Sequence, residues 1–264
     1  MNPSQGLAIV TEDLGKRYHI GRHSQRYRTL RDTISNVVRH PIHRIKGLSQ
    51  AGSSSLETIW ALSGVSFAVP QGAVYGIIGA NGSGKSTLLR ILAQITEPTA
   101  GRAEIRGRVG CVLGVGTGFH PELTGRENVF LSGIILGMTR REIRSKLDEI
   151  VAFAGVDQFL DTPVKHYSSG MTVRLGFAVA AHLEPDVLLI DEVLAVGDAA
   201  FQRQCLERMH RIAASGRTVL FVSHNLSVIR SLTQHTLWLD QGKTRMVGKT
   251  SAVCEAYESQ GKEA

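Results

Sequence analysis

At 264 residues, 42% of them hydrophobic and 20% charged, the chain has the size and composition of one folded domain with an inserted subdomain, not of two equal domains or a disordered polymer. Cys111, Cys205 and Cys254 are odd in number, far apart and without a C-x-x-C pair, so they suggest neither a disulfide framework nor a zinc site, and a reducing cytosol is expected. The net charge of +7 is local: Lys16 to Lys46 holds nine Lys and Arg against Asp32 alone, while the remainder has 21 basic and 22 acidic residues.

The N-terminus, MNPSQGLAIVTEDLGKRY, lacks the basic start, apolar stretch and cleavage site of a secretory signal. No uncharged apolar run approaches the ~18 residues that cross a bilayer, so a membrane role would come through a partner. Leu7 to Leu14 reads as a strand. The basic stretch follows, with Leu30, Ile34, Val37 and Val38 at helical spacing and Pro41 ending the helix. Gln50 to Ser55 (QAGSSS) connects back to the fold, which makes 21–58 an insertion with a short amphipathic helix. Such a basic block can face phosphate groups or be a solvated surface.

A second strand pattern runs from Trp60 to Val69. AVYGIIG (73–79) is an apolar strand opening into a Gly-rich loop, followed by a helix over STLLRILAQI. Residues from about 120 to 182 are mostly helical in pattern. VLLID (187–191) and TVLFVSH (218–224) are short apolar runs of the kind found in parallel strands covered on both faces. The expectation is an α/β core carrying an inserted α-helical subdomain, with no internal repeat, ending in a short helix or tail over 251–264.

The most informative motif is Gly79-Ala80-Asn81-Gly82-Ser83-Gly84-Lys85-Ser86-Thr87, a complete G-x-x-x-x-G-K-[ST] placed between a strand and a helix. Glycines let the backbone wrap around phosphates, and the N–H groups of the loop and helix start supply positive potential. Lys85 is positioned to reach the terminal phosphates and Ser86 to offer its hydroxyl to Mg²⁺. Downstream, Val187 to Ile190 carry Asp191 and Glu192 at a buried strand end, where Asp191 can hold the magnesium and Glu192 can polarise the attacking water. Tyr167-Ser168-Ser169-Gly170-Met171 opens a helix whose first N–H groups suit an anion, and His224 closes TVLFVSH.

That order of four motifs resembles the ATP-binding cassette (ABC) superfamily over about 60–245, plus Tyr18. The resemblance implies a P-loop NTPase core with an antiparallel β subdomain and the helical subdomain, using ATP and Mg²⁺. It implies that Tyr18 stacks on adenine and that Ser168, Ser169 and Gly170 contact the γ-phosphate held by the opposite copy of a head-to-tail homodimer. It further implies that Asp198 lies in the loop crossing that dimer interface and that His224 senses the γ-phosphate.

Three departures narrow the resemblance. The signature is YSSGM where LSGGQ is common, VLGVGTGFHPELTGREN (112–128) lacks the usual glutamine, and VLAVGDAAF follows Glu192. GTGFHPELTGREN, YSSGM and DEVLAVGD together resemble the ATPase subunits of O-antigen, capsular polysaccharide and teichoic acid exporters. The partners implied are an integral membrane permease, two copies of about six transmembrane helices each, and a lipid-linked polysaccharide, with no nucleic acid. The chain would then sit at the cytoplasmic face of the inner membrane as a peripheral protein. The closing GKTSAVCEAYESQGKEA is too short for the carbohydrate-binding domain some members carry. The helix near 27–40 would lie by the membrane or the entering polymer, with Arg26, Arg28, Arg31 and Arg39 facing the carrier pyrophosphate. An ATPase exporting another lipid or small molecule, or one acting on nucleic acid or ribosomes, is the alternative class.

Overall fold

A computed structural model describes residues 6–20, 57–112, 118–191 and 197–263. The expected amphipathic helix of the insertion, residues 113–117 and Glu192 lie outside those residues. The chain divides into two compact units, residues 1–16 with 61–264, and residues 17–60. In the smaller unit the Arg17 guanidinium carbon lies 5.6 Å from the centre of the Trp60 ring, and Tyr18, Ile59 and Trp60 are exposed.

Two long strands, β1 (Leu7–Ile20) and β2 (Glu57–Pro70), run further than the expected 7–14 and 60–69; residues 7–16 and 61–70 of them belong to the larger unit. They are followed by β3 (Val74–Ile78), α1 (Lys85–Leu92), β4 (Ala100–Ile105) and β5 (Val109–Val112). A small sheet in the order β2-β1-β4 is the antiparallel β subdomain; β1 and β4 pair Ile9 with Ile105 and Thr11 with Ala103. The buried Thr11 hydroxyl stitches β1 to β2, accepting from Phe67 N at 2.9 Å and donating to Phe67 O at 3.3 Å.

Helix α1 stops at Leu92, three residues short of the expected Ile95. Gln94 takes a left-handed φ of 58°, and the amides of Ile95 and Thr96 turn back to Arg90 O at 2.9 and 3.3 Å. Those bonds satisfy the Arg90 carbonyl in the last turn, and Ile95 is left exposed.

The helical subdomain comprises α2 (Gly125–Ile135), α3 (Arg140–Ala154) and α4 (Ser169–Ala181), with two short 3₁₀ turns between α3 and α4. Both α2 and α3 begin with a reciprocal capping box, Thr124 with Glu127 and Thr139 with Glu142. Val129, Ile143, Ile150, Leu175, Ala178 and Val179 form its buried core. Asn128, fully buried, pins the loop before α2: its Oδ1 accepts from His120 N at 2.7 Å and its Nδ2 donates toward the carbonyls of His120, Leu123 and Thr124 at 3.0 Å.

The chain then continues through β6 (Val187–Ile190), α5 (Ala199–Ala214), β7 (Thr218–Val222), α6 (Leu226–Leu232), β8 (His235–Asp240), β9 (Lys243–Lys249) and α7 (Thr250–Glu263). The main sheet has the order β5-β6-β7-β3-β8-β9, parallel from β5 to β8 with β9 antiparallel at the edge. Helix α1 packs in the core between the two sheets, with Leu88, Leu89 and Leu92 inaccessible. On the other face Phe177, Phe201, Ile229, Val253 and Cys254 cover Ile78, Ile190 and Phe221, so α4 to α7 close the sheet. Every residue of β6 and β7 is buried, as the uninterrupted apolar runs implied.

Candidate nucleotide-binding site

The loop after β3, the segment after β6 and the segment after β7 all leave the carboxyl edge of adjacent parallel strands, where open α/β sheets gather their ligand sites. Two glycines let the P-loop curl tightly. A Cβ on Gly79 would lie 2.2 Å from Leu239 O, and one on Gly84, whose φ is 102°, would lie 2.5 Å from Ala61 O. No side chain caps α1, so the amides of its first turn are left facing the loop.

Lys85 is 7% exposed and folds back to donate to Gly79 O at 2.7 Å and Ala80 O at 2.8 Å. Burial pushes its ammonium below the usual lysine range, opposed by the negative charge of Asp191. Ser83 Oγ is buried without a hydrogen-bond partner among the described residues. Such an orphan costs free energy until something bonds to it. Asn81, Gly82 and Ser86 are exposed and Thr87 is half-buried. Ser86 Oγ donates to Asp191 Oδ2 at 3.2 Å, so the hydroxyl and the carboxylate expected to share a magnesium already converge. An uncapped helix start, an orphan hydroxyl, a buried ammonium and a hydroxyl–carboxylate pair fit a polyphosphate with a hard divalent cation.

His224 is exposed two residues beyond the end of β7, rather than on the strand itself. Tyr18 lies near the end of β1 in the smaller unit and is 38% exposed. Ser168 caps α4 through Oγ, which accepts from Met171 N at 3.1 Å, and Ser169 and Gly170 are exposed beside it. A Cβ on Gly170 would meet nothing closer than Ser168 Oγ at 3.8 Å, so nothing in this chain's own fold demands a glycine there.

Asp198 caps α5, its Oδ1 accepting from Phe201 N at 2.9 Å, and its Oδ2 is held by Arg174 of α4. The Phe201 amide, and next burial and the Arg174 charge in opposite senses, leave the Asp198 carboxyl below the usual aspartate range. Asn128 and Arg174 are the two residues sequence reasoning did not single out. The G-R-E-N run at the start of α2 signals the first. The second stands four residues after Gly170, on the same helix face.

The sequence pattern of the ABC transporter family matches residues 62–195. The chain is 39% identical over 258 residues to an O-antigen export system ATP-binding protein of Klebsiella pneumoniae, with 98% of each chain covered. The chain belongs to the ABC transporter family. A second relative, an O-antigen export system ATP-binding protein of Myxococcus xanthus, is 43% identical over 255 residues, 97% of this chain but 56% of that longer protein. The fold is that of ABC cassettes: a dimeric ATP-binding cassette solved in a post-hydrolysis state with ADP and Pi superposes with a TM-score of 0.68 at 22% identity, over 92% of this chain and 98% of that one. Like other ABC cassettes, this one takes ATP with Mg²⁺.

Proposed function

We propose that this chain is the ATP-hydrolysing motor subunit of an ABC transporter that exports a lipid-linked polysaccharide across the cytoplasmic membrane. The observation that carries the reading is end-to-end similarity to a protein named for O-antigen export, joined to a P-loop whose Lys85, Ser86 and Asp191 already converge.

In this reading the loop amides and Lys85 hold the β- and γ-phosphates, and Lys85 exchanges its bonds to the Gly79 and Ala80 carbonyls for phosphate oxygens. Ser86 and Asp191 would hold Mg²⁺, which would supply positive charge beside the phosphates. Glu192 orients and polarises the attacking water, His224 senses the γ-phosphate, and Tyr18 stacks on the adenine. Two copies associate head to tail, so that Ser168, Ser169 and Gly170 of one cap the nucleotide of the other. No helix among the described residues is long and apolar enough to cross a membrane. The relatives named for export systems support coupling through an integral membrane permease. The loop pinned by Asn128 and helices α2 and α3 offer the contact surface, and the chain is peripheral at the cytoplasmic face.

The test is genetic and enzymatic together. Deleting the chain should remove one polysaccharide from the cell surface while its lipid-linked precursor accumulates inside. Glu192→Gln should restore membrane association with the permease but neither turnover nor export. An unchanged surface glycan, or a Glu192→Gln protein that hydrolyses ATP at the normal rate, would refute the assignment.

A further inference from the structure

We propose that Arg174 is a positioning residue for ATP turnover: it binds the Asp198 carboxylate within its own subunit, and so ties the end of the segment that follows Asp191 to the helix presenting Ser168 to Gly170. The inference rests on the function proposed above and adds to it a residue that links the two elements.

Three contacts converge on a small volume. Arg174, one helical turn after Gly170, reaches Asp198 Oδ2, while its guanidinium carbon sits 5.4 Å from the centre of the Phe201 ring. Asp198 Oδ1 is occupied by the Phe201 amide at 2.9 Å. Phe201 is 3% exposed and its ring meets Phe177 of α4 edge-on at 5.8 Å and Phe153 of α3 at 5.6 Å. Gly197 completes the closure: with φ at 78°, a Cβ there would stand 2.9 Å from Phe201 Cδ1.

Apolar packing by Phe201 therefore already joins α5 to the helical subdomain without any help from Arg174. The ion pair, with side chains 33% and 58% exposed, adds little to that packing. It does settle where the Asp198 carboxylate points. Both its oxygens are engaged in cis, by the α5 amide and by the guanidinium, so its orientation is set by α4 as well as by α5. When the Ser168–Gly170 turn closes on the partner's nucleotide, the shift of α4 is passed to Asp198, seven residues after the magnesium ligand Asp191 of the same subunit. Arg174 thus links one composite site to the other.

The experiment uses the full-length chain copurified with its permease and measures ATPase rate against ATP concentration, together with the thermal midpoint. Arg174→Gln, which keeps a polar side chain but withdraws the guanidinium from Asp198 and from the Phe201 ring, should lower kcat about tenfold. The ATP KM should stay within about twofold, the cooperativity between sites should fall, and the thermal midpoint should hold within about 2 °C. Asp198→Asn should behave alike, and the double variant should be no slower than either single one, because both changes break the same contact. Arg174→Lys should recover a substantial part of the rate.

A normal kcat in Arg174→Gln, multiplicative losses in the double variant, or loss of stability and rate together that Arg174→Lys does not restore would each overturn the proposal. Glu192→Gln, run alongside, separates the two claims. Its normal turnover would sink the hydrolytic assignment itself, whereas its silence beside a fully active Arg174→Gln would sink the Arg174 role alone.

Discussion

Gly170→Ala separates what the fold needs from what the nucleotide needs. Gly170 is the second residue of α4, is exposed, has an ordinary negative-φ helical setting, and would give a new methyl no neighbour closer than Ser168 Oγ at 3.8 Å. Replacing glycine by alanine at such a position removes conformational freedom from the unfolded chain and is expected to stabilise by about 0.5 kcal/mol, the low end because the site is in the first turn. For a chain of this length that raises the thermal midpoint by about 1–2 °C. If the Ser168–Gly170 turn closes on a γ-phosphate held by a second copy, the same methyl stands between backbone amides and phosphate oxygens. Losing such pre-aimed donors costs roughly 100-fold in kcat. Differential scanning fluorimetry and a steady-state ATPase assay on one preparation decide the matter. A more stable but nearly inactive protein is the expected result. A protein at least as stable and fully active would refute the capping role, and a lowered midpoint would refute the claim that the fold leaves this glycine free.

Gly84→Ala should act in the opposite way. Its Cβ would lie 2.5 Å from Ala61 O at a φ of 102°, so stability should fall by about 1–3 kcal/mol and fluorescent-nucleotide binding should be lost with it; retention of both would show that the loop relaxes. Thr236→Val removes a fully buried hydroxyl that contacts Thr250 Oγ1 at 2.9 Å, in a cluster completed by Thr233. It should cost about 1–2 kcal/mol in urea unfolding with the ATP KM unchanged, since the hydroxyls of the cluster bond to one another and to Ile229 O and none of them belongs to the P-loop. Glu127 and Glu142 are held below the ordinary 4.5 of a glutamate, chiefly by the Thr124 and Thr139 amides that they cap. A depressed folded value means that this stabilisation is complete above about pH 4.5 and is lost as pH falls through the lower folded value. The urea midpoint of a Glu127→Gln/Glu142→Gln protein should accordingly fall less steeply from pH 5 to pH 3 than that of the parent, and equal slopes would contradict the assignment.

The residues legible in the sequence are those whose chemistry is local. The P-loop could be read because glycine spacing, Lys85 and Ser86 lie within nine consecutive residues, and the backbone must curl there for steric reasons that the structure reproduces at Gly79 and Gly84. The strand before Asp191 and the helix opened by Ser168 were legible for the same reason, since an apolar run and an N-cap each announce themselves over a few positions. The full length of β1 and β2 was not, because their outer halves lack the alternation that a buried face imposes: Lys16, Arg17, Tyr18 and His19 follow one another without a period.

Arg174 was invisible for a different reason. Its partner Asp198 is 24 residues away, beyond β6, and no local pattern states that α4 and α5 lie side by side until Phe177 and Phe201 are seen to pack. A motif thus records where a ligand is gripped, whereas the coupling of one grip to another depends on side chains that only the packed helices bring together. In this chain that coupling runs through a guanidinium seated on an aromatic ring. Arg174 is therefore a residue that can change without loss of ATP affinity and on which concerted turnover of the two sites still depends.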